Sequence, residues 1–208
     1  MVNSDLALHQ LARAIIDGDT EGVSCLLTAS PPLARASFQS GATRQSAEPF
    51  FLNQIARFIY AGDTALHIAA AAYQTQLVSN LLAAGADVHA RNRRGQGALH
   101  AASCGSPGSP MWNASSQTAT ITRLVEAGAD PNVLDKSGVS PLHKAIRTRC
   151  AAAVRTLLDL GADPARPNKN GTTAWLLAKQ NTGRRGTGSP EAKFQQQEIL
   201  RLLAARAR

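Results

Sequence analysis

Histidine and cysteine side chains recur in this chain at positions where they could do chemistry. His67, His100 and His143 each end a repeated motif, and Cys104 follows His100 by one helical turn. A thiol beside an imidazole could be a nucleophile with its base, and clustered histidines could hold a metal. However, no acidic residue is placed to orient either ring, and recurrence at one motif position favours a packing role. We therefore expect no catalytic residue, no cofactor and no metal site, and hence no enzyme.

The glycine-rich residues 183–189 have the composition of a phosphate-binding loop. Such a loop links a strand to a helix and ends in Lys-Ser or Lys-Thr. Here the preceding segment is predicted to be helical, and that terminal pair is absent, so nucleotide binding is not expected. Two interpretations stay open, a solvated loop and an anion site beside Arg184 and Arg185 at the start of the next helix.

The histidines belong to units that recur along the second part of the chain. Residues 62–67, 95–100 and 138–143 each begin with glycine and end with Leu-His, and a degenerate copy begins at Gly171. Apolar residues within each unit recur at helical spacing, which predicts two short antiparallel helices followed by an extended finger. One such pair cannot bury its apolar stripe alone, so the units must stack.

This motif, with its interval of 33 residues, resembles the ankyrin repeat. The resemblance covers roughly residues 62–208 and implies an all-α fold, a solenoid of stacked helix pairs with β-hairpin-like fingers. It implies one continuous domain with four repeats, at 62–94, 95–137, 138–170 and 171–208, the last carrying the C-terminal cap. It also implies that the motif histidines hydrogen-bond backbone groups and that Thr64 and Ser140 cap their helices.

The second and fourth repeats carry insertions between their helices, and both insertions contain Gly-Ser-Pro. Serine before proline predicts a helix N-cap, so the second helices are expected at about 110–127 and 190–205. The inserted loops should form paired bulges at the end opposite the fingers. Trp112 is interpreted either as a partner anchor or as a locally packed side chain.

Residues 1–61 lack the motif. Residues 6–16 and 20–29 predict a helix pair that matches a degenerate first repeat acting as a cap, followed by a long polar loop. Residues 50–60 are the most apolar stretch and are predicted to form an extra helix, packed on the first full repeat in place of its finger. The alternative is a partner-binding helix with an exposed apolar face.

The composition limits the class of protein. The chain shows no signal-like start and no run of 18 apolar residues, so neither secretion nor membrane spanning is expected. Cys25, Cys104 and Cys150 are widely spaced and form no Cys-x-x-Cys pair, which favours reduced thiols and a cytoplasmic location. We expect a monomer, and the resemblance to short, alanine-rich ankyrin proteins suggests a bacterial one.

The net charge of +8 is unevenly distributed. Residues 1–60 hold four basic and five acidic side chains, so the repeats carry the whole positive excess, which attracts acidic proteins or nucleic acid. The resemblance implies that fingertips and first helices contact the partner. With Trp112 added, the predicted partner-binding residues are Arg91, Arg93, Arg94, Gln96, Trp112, Lys136, Val139, Arg147, Thr148, Lys169 and Thr172.

These features predict a non-catalytic protein-interaction scaffold, an adaptor or inhibitor, that binds an acidic protein surface through a basic concave groove. One alternative is an enzyme or small-ligand-binding protein that uses the Gly-Ser-Pro loops. Another is nucleic-acid binding through the basic array. The last is less expected, because the array lacks aromatic side chains beside its basic residues and shows no helix-turn-helix or zinc-finger motif.

Overall fold

The computed structural model describes residues 2–105, 107, 112–180 and 189–206 as a stack of helix pairs. The helices of the first layer are α1 (Val2–Asp17), α3 (Ala65–Ala71), α5 (Ala98–Ala102), α7 (Pro141–Arg147) and α9 (Ala174–Lys179). Those of the second layer are α2 (Thr20–Ala29), α4 (Thr75–Ala83), α6 (Ala114–Glu126), α8 (Ala151–Asp159) and α10 (Pro190–Arg206). Within the described residues the only sheet has two strands, so the predicted all-α class is confirmed.

Each helix contacts the equivalent helix of the next unit. In the first layer α3, α5, α7 and α9 pack in succession, and α4, α6, α8 and α10 do the same in the second. Leu66, Leu99 and Leu142, at one motif position, are almost completely buried between the units. Burying each leucine contributes about 1.5–3 kcal/mol. The pair α1 and α2 extends both layers, with α1 on α3 and α2 on α4.

The motif histidines join each unit to the next. In all three, Nδ1 accepts a hydrogen bond from the backbone N–H three residues earlier, at 3.2–3.3 Å. Nε2 therefore carries the proton, and it donates to a carbonyl of the following unit at 2.9–3.0 Å. The acceptors are Gln96, Val139 and Thr172. The predicted backbone-bonding role of the histidines is confirmed.

Three regular fingers, residues 87–97, 130–140 and 163–173, precede α5, α7 and α9. In each finger an Asn or Asp side chain three residues before the glycine accepts two backbone N–H groups at 2.8–3.1 Å. The glycines that follow, Gly95, Gly138 and Gly171, have φ between +73° and +75°, a conformation that favours glycine. The side chains that accept the two N–H groups are those of Asn92, Asp135 and Asn168.

The predicted extra helix at residues 50–60 is wrong. Strands β1 (Phe51–Leu52) and β2 (Arg57–Phe58) pair antiparallel, and a 3₁₀ turn, Asn53–Ile55, connects them. The pairing continues towards the stack, where Ala42 donates to the Ile59 carbonyl at 2.8 Å and Ser37 bridges Thr64. Residues 37–64 thus form an enlarged finger, and its aromatic and β-branched residues suit strands as well as helices. The alternative of an exposed binding helix is excluded as well. Further short 3₁₀ turns lie at Pro31–Ala34 and Glu48–Phe50.

The two insertions differ in how their second helices begin. Helix α10 begins at Pro190, as predicted, and Ser189 Oγ caps it by accepting from the Ala192 N–H at 3.2 Å. Helix α6 begins at Ala114 rather than near residue 110, because Asn113 Oδ1 caps it at 2.8 Å from the Ser116 N–H. Residues 108–111 and 181–188 lie outside the described residues, so the paired bulges and the anion site beside Arg184 and Arg185 stay predictions.

Candidate interaction surface

Three cationic side chains occupy one equivalent position along the fingers. Arg93, Lys136 and Lys169, here called the fingertip row, each stand two residues before a finger glycine, and all three are exposed. Each backbone N–H in the row donates to the preceding finger, at 2.7, 2.9 and 3.2 Å. In the described part of the chain, the amino groups of Lys136 and Lys169 take part in no hydrogen bond or ion pair.

The arginines of the first regular finger are already engaged. The Arg93 guanidinium donates to the carbonyl of Ala42, and Arg94 Nη1 donates to the hydroxyl of Tyr60 at 2.9 Å. Both guanidinium groups lie over the Tyr60 ring, 5.6 and 5.0 Å from its centroid. Arg91 donates to the Leu134 carbonyl at 2.9 Å. Thus all three arginines hold neighbouring fingers together.

The structure corrects the prediction for Gln96 and Val139, whose side chains are buried. Gln96 Nε2 donates to Asp135 Oδ2 at 2.9 Å, and the Val139 carbonyl accepts from His100. Both residues directly follow a finger glycine, a position that turns towards the next unit. Asp63, at the same position, is buried for the same reason.

The other predicted positions at finger 163–173 and helix α7 are partly available. Thr172 and Thr148 are half-buried, and Thr148 Oγ1 donates to the Lys144 carbonyl at 3.0 Å. Arg147, at the end of α7, is exposed. The prediction missed Lys144, which is half-buried and whose pKa is lowered by burial. The sequence does mark this residue, because the equivalent position in α3, α5 and α9 is apolar. The residues there are Ile68, Ala101 and Leu177, so a lysine departs from the pattern.

Trp112 packs locally. Its indole Nε1 donates to Gln117 Oε1 at 2.8 Å, and the ring lies against the core. Gln117 is itself buried and donates through Nε2 to the Ala102 carbonyl at 2.9 Å. These contacts favour the packed interpretation of Trp112 over the anchor.

The Cys104 thiol and the His100 ring, one turn apart on the chain, are not hydrogen-bonded to each other. Both ring nitrogens of His100 bond backbone groups, and burial lowers its pKa to about 4. Cys104 Sγ donates to the His100 backbone carbonyl at 3.4 Å, not to the ring. Burial raises the pKa of the Cys150 thiol to about 11, so it is protonated at neutral pH. The described residues include no group of three or more His, Cys, Asp or Glu side chains that could hold a metal.

Two family models match the chain. One, described as Ankyrin repeat, matches residues 61–93, and the other, described as Ankyrin repeats (many copies), matches residues 124–175. The chain contains ankyrin repeats. No curated protein sequence matches it. Ankyrin repeats generally mediate protein–protein interaction, and ankyrin-repeat proteins are typically non-catalytic scaffolds.

The ankyrin matches cover regular units, whereas residues 1–60, 94–123 and 176–208 lie outside them. The division into repeats at 62–94, 95–137, 138–170 and 171–208 stays a prediction. No helix in the described segments is both long enough and apolar enough to cross a bilayer. Contrary to the expectation that the array lacks aromatic side chains beside its basic residues, Tyr60 lies beneath Arg93 and Arg94, and Lys179 Nζ lies 4.8 Å from the centroid of the Trp175 ring.

Proposed function

We propose that this ankyrin-repeat protein is a non-catalytic scaffold, an adaptor or inhibitor, that binds an acidic protein surface through its fingertips and the adjacent face of α7. The fingertip row carries the proposal, since it sets three exposed cations at one position of successive fingers. Tyr60 occupies the same position in the enlarged finger, so no carboxylate interrupts the row. Lys144 and Arg147 add positive charge on α7.

The two kinds of cation in the row would contribute differently. The contacts of Arg93 with Ala42 and Tyr60 hold its side chain in place, which lowers the entropy lost when a carboxylate binds. Lys136 and Lys169 retain rotamer freedom but present amino groups without competing partners. A positive row of this kind steers an acidic protein towards the fingers and speeds encounter.

We further propose that the protein acts as a monomer in the cytoplasm. Its three cysteines are free thiols, as a reducing compartment would require. Size-exclusion chromatography with light scattering tests the monomer directly.

Charge reversal in the row tests the function. Lys136→Glu with Lys169→Glu is the informative variant, because neither amino group supports the fold, whereas Arg93 and Arg94 hold the enlarged finger. The matched control is Lys193→Glu with Arg201→Glu on α10, which changes the net charge equally at exposed positions of the second layer.

Affinity capture from native lysate should enrich an acidic protein with the wild type and with the α10 control. The fingertip variant should lose that protein while keeping the same circular dichroism and thermal midpoint. Capture by all three proteins would contradict binding through the fingertips. Loss from both variants would show that net charge alone, and no particular surface, accounts for the capture.

A further inference from the structure

A cleft of about 680 Å³ lies where the enlarged finger meets the first regular finger. It is lined by Ser37, Gly62 and Thr64 of the enlarged finger, by Arg35 just before that finger, and by part of the segment 85–91. Its volume is within the range of sites that hold small ligands. The cleft is therefore large enough to take a molecule of a few residues.

Two guanidinium groups line this cleft, and both are held in place. Arg35 Nε donates to the Gly85 carbonyl at 2.7 Å, and Arg91 Nη1 donates to the Leu134 carbonyl at 2.9 Å. A Cβ atom at Gly85 would lie 3.3 Å from Arg35 Nη2, so the glycine lets this guanidinium approach the chain closely. In the described part of the chain, the other N–H groups of both guanidiniums take part in no hydrogen bond or ion pair. They remain available as donors to a ligand.

One carboxylate lines the same cleft. Asp87 Oδ1 accepts the His89 backbone N–H at 2.8 Å, whereas Oδ2 has no hydrogen-bond partner among the residues that the structure describes. Within those residues Asp87 also forms no ion pair with Arg35 or Arg91, although all three line one cleft. The cleft thus presents opposite charges that do not pair with each other.

We propose that this cleft binds a short zwitterionic ligand, such as a free peptide of a few residues. Its carboxylate pairs with the guanidiniums of Arg35 and Arg91, whose N–H groups match the two carboxylate oxygens. Its ammonium group donates to Asp87 Oδ2. A dianion such as phosphate fits less well, because the Asp87 carboxylate repels it. The cleft does not include the fingertip row, so this site adds to the proposed function and does not depend on it.

Trialanine with free or blocked ends tests the pairing of charges. The four probes are free trialanine, its N-acetyl form, its C-terminal amide and the doubly blocked form, so only the end charges differ. Titration of the ¹⁵N-labelled protein at pH 7, followed by NMR, should show shifts at the backbone amides of Ser37, Gly62 and Val88. The free peptide should bind about threefold to fivefold more tightly than either singly blocked peptide, the factor that one exposed ion pair contributes.

Matched variants of two fingers test the residues. Asp87→Asn keeps the acceptor for the His89 N–H and removes the charge. Asp130→Asn makes the same change at the equivalent position of the next finger, where Oδ1 accepts the Asn132 N–H at 2.8 Å outside the cleft. Asp87→Asn should abolish the advantage of free over N-acetylated trialanine, and Asp130→Asn should keep it. Arg35→Gln should reduce the advantage of free trialanine over its amide.

Three results would overturn the inference. Equal affinity for all four probes would show that the end charges are not recognised. Equal or tighter binding of the N-acetylated peptide would show that Asp87 accepts no ammonium group, so the ligand would be an anion and not a zwitterion. Absence of shifts at the cleft amides with every probe would show that the cleft is not a site for such ligands. Each of these results would leave capture of an acidic protein by the fingertips untouched.

Discussion

In the regular fingers an Asn or Asp three residues before the glycine closes the turn, whereas the enlarged finger has Ile59 at that position. Ile59 is buried in the core and accepts no N–H group through its side chain. Asp63 takes over the closure, because its Oδ2 accepts the backbone N–H of Tyr60 at 2.8 Å. Its Oδ1 accepts from Asn92 Nδ2 at 2.9 Å and lies 3.5 Å from Arg57 Nη2.

The two kinds of finger differ in whether the side chain that closes the turn must carry a negative charge. Asn92, Asp135 and Asn168 are equivalent, so either a neutral or an ionised side chain closes a regular turn. In the enlarged finger Asp63 is fully buried and Arg57 is 14% exposed, and the two form an ion pair. Arg57 Nε and Nη2 have no hydrogen-bond partner among the described residues. Only the carboxylate of Asp63 compensates this guanidinium, so the enlarged finger depends on one charge.

Matched substitutions should separate the two kinds of finger most strongly. Asp63→Asn leaves the buried Arg57 without a counter-charge and should lower the free energy of unfolding by about 3–5 kcal/mol. Asp135→Asn keeps Oδ1 as the acceptor for the Ser137 and Val139 N–H groups but replaces Oδ2, which accepts from Gln96, so it should lower the free energy of unfolding by only about 1–2 kcal/mol. Urea unfolding at pH 7 measures both.

A second substitution checks the cause. Arg57→Met in the Asp63→Asn background should recover part of the loss, because it removes the unpaired guanidinium and keeps much of the side-chain volume. Equal losses for Asp63→Asn and Asp135→Asn, or no recovery with Arg57→Met, would contradict the role given to the ion pair.

The histidines predict how the regular units respond to acid. Burial lowers the pKa of His67, His100 and His143, for His100 to about 4. The unfolded chain binds protons below pH 6.5 that the folded chain does not. The free energy of unfolding is therefore fully retained above pH 6.5 and falls towards pH 4. For His100 alone the loss is on the order of 3 kcal/mol.

Urea unfolding at pH 7.5, 6 and 5 tests this pH dependence. His100→Gln lowers stability at pH 7.5, and it should also make the fall between pH 7.5 and 5 shallower. His89→Gln, at an exposed position outside the helix contacts, should leave the fall as steep as in the wild type. An unchanged slope in His100→Gln would place the acid response elsewhere, for instance at His67, where Asp63 raises the pKa and Arg57 lowers it.

The regular units were predictable because their signals are local and periodic. A glycine and a Leu-His pair at an interval of 33 residues predicted the helix pairs and the histidine contacts. The enlarged finger was not predictable in this way, because Phe51, Ile55 and Phe58 suit either a helix face or a hairpin. The deciding contacts, such as Ser37 with Thr64, join residues far apart in the sequence.

The candidate site was predictable in part for the same reason. The fingertip row follows from the position of each glycine, so all three of its exposed cations were found from the sequence. The inward turn of Gln96 and Val139 depends on the stacking of successive fingers, and so does the contact of Tyr60 with Arg93 and Arg94. A motif that assigns residues to a finger does not show which side chains the next finger covers.

The smallest expected effect concerns Tyr60, which occupies the fingertip position of the enlarged finger. Substitutions at this position test whether a fingertip side chain stabilises the fold or is available for binding. Tyr60→Phe keeps the ring beneath both guanidinium groups and loses only the hydrogen bond from Arg94, so it should cost less than about 1 kcal/mol. Tyr60→Ala also removes the ring and should lower the free energy of unfolding by more.

Lys136→Ala, at the equivalent position of a regular finger, should leave the urea midpoint unchanged while weakening partner binding. If Tyr60→Phe costs as much as Tyr60→Ala, then the hydroxyl rather than the ring positions the arginines. If Lys136→Ala destabilises the fold, then the regular fingertips are structural, as the enlarged finger is, and the lysines are not reserved for a partner.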